Sequence, residues 1–337
     1  MKVLICNAPY SFSYQGMPEP VVGDDDVLIK VTAVGICGTD IHAYAGNQPF
    51  FEYPRVLGHE VSGRITSIGS QVKNYQVGQR VALVPYLSCG QCEACKSGKT
   101  NCCETLSVLG VHQDGGFAEF LAVPESNVLS VADSVDDISA ALIEPFAISA
   151  HAVRRAQIQA NDDVLVVGAG PIGLGAAAIA LADGANVVVA DTSMERRQHI
   201  EKRLNLPTVD PLNQNIEDFF HGRLPLVVID ATGNQKAMSN AVNFIRHGGR
   251  IVFVGLFKGN LEINDPDFHK KETTMLGSRN ATYEDFAKVQ RLMAEGKLSA
   301  EMMLTHQFHF DELAEVYEEK IIRNTALLKS VILFDKT

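Results

Sequence analysis

The chain contains no long basic run, no internal repeat and no low-complexity linker. Its 29 Lys+Arg are outnumbered by 40 Asp+Glu, and the formal net charge of −11 would be repelled by a phosphate backbone or an anionic membrane. No nucleic-acid or membrane partner is therefore expected. Long uninterrupted apolar stretches are also missing. Residues 164–189 come nearest, but glycines, Pro171 and Asp183 break them, so a transmembrane reading fails. The apolar run in Met1–Asn7 is too brief for a secretory signal, and the seven cysteines are expected in a reducing cytoplasm. What remains is an ordinary balance, 46% hydrophobic and 20% charged over 337 residues, long enough for two domains with separate cores.

Four of the cysteines are bunched. Cys89, Cys92, Cys95 and Cys103 follow the spacing C-x2-C-x2-C-x7-C. A short loop with that spacing can aim four thiolates at one tetrahedral ion, and zinc favours such a closed, structural shell. Paired disulfides or free buried thiols are the alternative, and bunching within one loop of a chain this size fits disulfides poorly. Cys6 and Cys102 fall outside the spacing, although Cys102 stands next to Cys103 and could compete for the ion.

Up to about residue 146 the chain reads as β-rich. Val27–Val31 and Gly78–Leu83 are short apolar runs bounded by turn residues, and Gly63–Gly69 alternates apolar and polar residues. From Asp163 onward, strands alternate with helices. Val164–Val167 leads through a glycine turn into an alanine-rich helix ending near Leu181, and further apolar strands are expected at Val187–Asp191, Leu226–Asp230 and Arg250–Gly255. Unalternated apolar runs joined by connecting segments predict a parallel sheet covered on both faces. Two amphipathic helices near Phe286–Glu295 and Glu312–Ile322 are expected to frame a strand at His306–Phe310, before a last strand at Ser330–Phe334.

Gly168-Ala169-Gly170-Pro171-Ile172-Gly173 matches G-x-G-x-x-G between a strand and a helix, with Asp191 closing the next strand. Gly168 serves the tight turn, Gly170 the approach of a pyrophosphate, and Gly173 close helix–strand packing. The helix N-terminus at Pro171 and Ile172 faces the phosphates. Asp191 favours both ribose hydroxyls of NAD and would repel the extra phosphate of NADP. Arg196 and Arg197 lie near enough to complicate that choice.

Cys37 and His59 supply a thiolate and an imidazole, which taken alone are more often packing residues. Cys37-Gly38-Thr39-Asp40-x-His42, Gly58-His59-Glu60, the cysteine loop, Gly115-Gly116-Phe117-Ala118-Glu119 and the glycine fingerprint occur in one order. In that order, over essentially the full length, the chain resembles the zinc-containing medium-chain dehydrogenases. The resemblance implies an α/β protein, a GroES-like β-barrel catalytic domain plus a Rossmann doubly wound parallel sheet. The expected boundaries are 1–146 for the catalytic domain, 147–284 for the NAD-binding domain, and 285–337 returning to the catalytic domain.

It further implies two zinc ions per chain, with Cys37, His59 and Glu144 binding the catalytic ion. Glu60 either joins that shell or only orients it. Thr39 and His42 resemble a proton relay. The strings Phe50–Val56, Val108–Gly116 and Gly277–Thr282 are most similar to hexonate dehydrogenases, and the longer runs Ala141–Arg155 and Phe268–Thr282 especially to those acting on L-galactonate. They imply NAD-dependent oxidation of a sugar-acid hydroxyl, L-galactonate to D-tagaturonate foremost, with L-gulonate, L-threonine and sorbitol as alternatives. A carboxylate substrate needs a local cation, for which Arg279 is the first choice and His112 and Lys258 are rivals. A homo-oligomer is implied as well. A non-catalytic dinucleotide-binding sensor is the alternative from another class, and it predicts no open zinc site.

Overall fold

The computed structural model describes residues 1–48 and 51–334. Two compact units emerge. The first gathers Met1–Glu144, Thr282–Ala300 and the residues from Leu304 onward; the second gathers Pro145–Ala281 with Glu301–Met303.

The first unit is built around Asp26–Ile36, an eleven-residue strand rich in valine and isoleucine that is buried along most of its length. Glu60–Ile68, Phe120–Pro124 and Ser330–Leu333 all pair with it antiparallel. The sheet runs in the order Val128–Ser130, Arg80–Leu83, Glu60–Ile68, Asp26–Ile36, Ser330–Leu333, His306–His309. Its register sets Gly35 opposite Glu60, and Ser330 opposite Ile36. Residues far apart in the chain thereby meet at one end of the central strand. Val27, Ile29, Val61, Val81, Phe117 and Ile332 belong to the fully apolar core these strands enclose.

Several elements went unread in the sequence. Lys2–Ala8 and Ser11–Gly16 form a hairpin, joined by Arg55–Val56 into a three-stranded sheet. Phe120–Pro124 and Val128–Ser130 are strands too, short and close to Pro124, so neither carries a run long enough to declare itself. The helix expected at Glu312–Ile322 is a composite: a 3-10 turn at Phe310–Glu312, one α turn at Leu313–Val316 and a wider π segment at Tyr317–Ile322. Leu313, Tyr317 and Ile321, four apart, stay buried through the change of winding.

The second unit carries six parallel strands in the order Thr208–Val209, Asn186–Ala190, Asp163–Val167, Val227–Asp230, Arg250–Phe253, Thr274–Gly277. Numbered along the chain this is 3-2-1-4-5-6, the doubly wound order that opens a crevice where the direction of winding reverses, beyond the ends of Asp163–Val167 and Val227–Asp230. Every residue of Asp163–Val167 is buried, as the unalternated apolar run requires. Among the described residues, no helix is long and apolar enough to cross a membrane.

Candidate active site and metal centres

The cysteine loop hangs from a two-residue ladder, Tyr86–Leu87 against Ser107–Val108. Within it, ligand atoms of Cys89, Cys92, Cys95 and Cys103 lie within 4.8 Å of one another. Cys103 Sγ accepts the Cys89 backbone N–H at 3.2 Å, and Cys89 Sγ accepts those of Gln91 and Cys92 at 3.4 and 3.3 Å. Those donors hold sulfur in its thiolate form and pull Cys89 down to about 6. Convergence of four sulfurs, with amides aimed at them, fits one soft dication.

The second cluster sits at the end of the central strand. Cys37, His59 and Glu60 each offer a ligand atom within 4.8 Å of the others, and Glu60 and His59 are buried. Gly35 makes the space. A Cβ there would fall 1.9 Å from Glu60 Oε2, so only glycine tolerates the carboxylate opposite it. Asp40, 1% exposed, ties the two ligand segments together: its Oδ2 accepts the Cys37 N–H at 2.9 Å and its Oδ1 the Gly58 N–H at 3.1 Å. His59 Nδ1 lies 3.8 Å from Asp40 Oδ1. Burial alone would lower His59, but the Asp40 and Cys37 charges outweigh it and raise the imidazole well above its usual range. His59 Nδ1 and Glu60 Oε2 are buried atoms with no hydrogen-bond partner. A buried carboxylate oxygen with no partner, beside a thiol and an imidazole, suits a cation, and this donor set suits zinc with a position left open.

Glu144 is the acid the sequence placed in this shell, and it lies outside the mutually close set. It stands in the first turn of Ile143–Arg155, 4% exposed, and its Oε1 accepts the Tyr86 hydroxyl. Burial pushes it up to about 6, with His59 and Glu60 near enough to act on it. Glu60 instead accepts from Lys329 Nζ, a buried ion pair. Thr39 Oγ1 is 3.6 Å from Cys37 Sγ, and His42 is exposed in the last turn of the same short helix, Gly38–Tyr44.

In the second unit, Gly168 has φ +99°, in the region that glycine tolerates. A Cβ on Gly173 would lie 1.8 Å from the Gly168 carbonyl oxygen, whereas one on Gly170 would meet nothing within 4 Å. Gly173 is thus tightly packed against the turn, and the space at Gly170 is open. Pro171 opens the helix Pro171–Ala182, and Gly170 caps it. Asp191 Oδ2 accepts the Ala169 N–H at 2.7 Å and Oδ1 the Ser193 N–H at 2.8 Å, so the acid braces the glycine turn. Arg197 is engaged, donating to the Asp191 carbonyl at 2.6 Å and lying 3.6 Å from Asp210, while Arg196 is exposed. Arg279 and Lys258 are exposed; His112 is exposed too, its Nδ1 accepting the Val108 N–H at 3.0 Å.

Sequence reasoning assigned no role to Gly35, Asp40, Tyr86 or Lys329. Asp40 alone carried a signal, its place inside the Cys37–His42 motif.

Known families match the chain in two stretches, one on either side of residue 145. The Alcohol dehydrogenase GroES-like domain family matches residues 23–133, and the Zinc-binding dehydrogenase family matches residues 171–295. An L-galactonate-5-dehydrogenase of Escherichia coli K12 is 62% identical, spanning 99% of each chain. A sorbitol dehydrogenase of Bacillus subtilis is 32% identical over 98% of this chain and 97% of its own. Among solved structures, the rspB alcohol dehydrogenase of E. coli CFT073, complexed with NADH, superposes with a TM-score of 0.91 at 34% identity over 99% of each chain.

Proposed function

We propose, from the premise that the chain belongs to the zinc-binding alcohol dehydrogenases with a GroES-like domain, that it oxidises a secondary hydroxyl of a sugar acid with NAD as hydride acceptor. L-Galactonate, giving D-tagaturonate, is the substrate of choice, since the relative bearing that name is 62% identical end to end. The observation that carries the catalytic reading is the convergence of Cys37, His59 and Glu60 on one point.

Cys37, His59 and one acid hold the catalytic zinc, while Cys89, Cys92, Cys95 and Cys103 hold the structural one. When bound, the catalytic ion acts as a Lewis acid that lowers the pKa of the substrate hydroxyl. Thr39, beside Cys37, relays that proton by accepting it as its own hydroxyl proton moves on, and His42 is the outer base that passes it to solvent. Asp40 keeps the Cys37 and His59 segments in register by its two backbone hydrogen bonds. NAD, held by the glycine turn and Asp191, would supply the hydride acceptor, and that chemistry belongs to the cofactor. Gly168, Gly170 and Gly173 seat the pyrophosphate on the N-terminal amides of Pro171–Ala182, and Asp191 selects NAD by repelling a 2′-phosphate. Arg197, already engaged with Asp210 and the Asp191 carbonyl, leaves that selection to the acid. Arg279 pairs with the substrate carboxylate, with His112 as its rival. The chain works as a homo-oligomer, the strand Thr274–Gly277 offering an open sheet edge for assembly.

A panel of L-galactonate, L-gulonate, L-threonine and sorbitol with NAD, read by NADH absorbance, tests the substrate. The highest kcat/KM is expected for L-galactonate. Faster turnover of sorbitol or L-threonine would refute a sugar-acid enzyme, and NADH binding with no turnover of any would favour the sensor. The cofactor site has its own test. Gly173→Ala forces a methyl into the Gly168 carbonyl, overpacking worth about 1–3 kcal/mol. NADH affinity by fluorescence titration should fall roughly ten- to a hundredfold while zinc content stays at two.

A further inference from the structure

We propose that the Tyr86 hydroxyl and the Lys329 ammonium are positioning groups that decide which of two buried carboxylates, Glu60 or Glu144, completes the metal shell begun by Cys37 and His59. The inference rests on that cluster being the catalytic zinc site. An open catalytic site takes three protein ligands and keeps a fourth position for substrate. Two carboxylates are within reach here, Glu60 at 0% and Glu144 at 4% exposure. If both bound, the open position would close, so one must be held back.

Each acid has its own clamp. Glu144 Oε1 accepts the Tyr86 hydroxyl. Tyr86 is itself fixed, since Asn127 Nδ2 donates to its carbonyl at 3.0 Å and to that of Val84 at 2.8 Å, and its ring meets Phe286 edge-on at 6.2 Å. Glu60 Oε1 accepts from Lys329, whose ammonium also donates to the Ile36 carbonyl at 3.0 Å. Strand register imposes that pairing, because Ser330 faces Ile36 and Glu60 faces Gly35. Lys329 is 3% exposed and directs its charge at Glu60. The clamps are unequal in consequence. Tyr86 occupies an oxygen of Glu144, which lies outside the close set that Glu60 forms with Cys37 and His59. Lys329 occupies one oxygen of Glu60, Oε1, and leaves the other, Oε2, buried over Gly35 and unpaired. As arranged, Glu60 is the ligand and Glu144 the reserve.

A double-mutant cycle read by metal affinity, not activity, tests this. Zinc affinity of the second site is measured by chelator competition for Glu60→Gln and Glu144→Gln, each in the wild-type, Tyr86→Phe, Lys329→Met and Lys329→Arg backgrounds. In the wild-type background, Glu60→Gln should weaken zinc about 10- to 100-fold and Glu144→Gln far less. Tyr86→Phe and Lys329→Met should transfer that dependence to Glu144, and Lys329→Arg should restore it to Glu60. Tyr86→Phe keeps the ring, so its arm decides even if Lys329→Met does not fold. Costs that add independently of Tyr86→Phe would overturn the proposal. If Cys37→Ala also kept both zinc ions, the underlying metal-site reading would fail as well; if it lost one while the costs stayed additive, only the positioning role would fall.

Discussion

Cys37→Ala should leave a folded protein that binds NADH with unaltered affinity, holds one zinc instead of two, and has lost turnover. The ion's Lewis-acid contribution is several kcal/mol, and each 1.36 kcal/mol is tenfold in rate, so a fall in kcat of about 10³ or more is expected. The selectivity of the loss follows from placement. Cys37 belongs to the first unit, at the end of the strand Asp26–Ile36, whereas the glycine turn and Asp191 belong to the second. Removing one sulfur also leaves the core near it untouched, because Cys37 is only half-buried and caps a seven-residue helix. Metal analysis, NADH titration and kcat on one preparation check the three parts together. Turnover retained in protein shown to lack the second ion would refute the role of Cys37.

How much of this site could be read in the sequence depended on whether a residue's task is local. The cysteine spacing and the glycine fingerprint are local devices: their ligands or turns lie within a few residues, so spacing alone carries the geometry. Cys37 and His59 are isolated in sequence and became legible through the ordered motifs around them. Lys329 illustrates what stays hidden. It lies 269 residues from Glu60 and reaches it only because two strand registers converge on Gly35 and Ile36. A lone lysine before a C-terminal strand reads as a solvated charge. Gly35 has the same character, since its need for a missing side chain appears only once Glu60 is seen opposite it. The choice between Glu60 and Glu144 stays open in the sequence for the same reason: both acids sit in plausible motifs, and their differing partners, Lys329 and Tyr86, lie 269 and 58 residues away. Among the strands, the parallel set was legible from unbroken apolar runs. The opening hairpin Lys2–Gly16 was not, because its second strand, Ser11–Gly16, is polar and only partly buried.

Cys92→Ser removes a zinc ion as well, with the opposite consequence. Structural zinc supplies folding energy directly, about 10–16 kcal/mol in small zinc-finger peptides. Here the loop between Leu87 and Ser107 has little else: a four-residue helix, a three-residue 3-10 turn and the two-pair ladder at its base. Most of the peptide-scale energy is absorbed by local unfolding of that loop, and a residual loss of about 3 kcal/mol would lower Tm by roughly 10 °C. Chemistry should outlast the loop. Tyr86, where the loop begins, is anchored independently by Asn127 and Phe286, so its hold on Glu144 does not depend on the four-sulfur ion. At 25 °C the expected result is therefore near-normal kcat per folded molecule, one zinc per chain and a depressed Tm. Unchanged thermal stability with one zinc missing would contradict the structural role, and a kcat collapse in fully folded protein would show that the loop reaches the reaction.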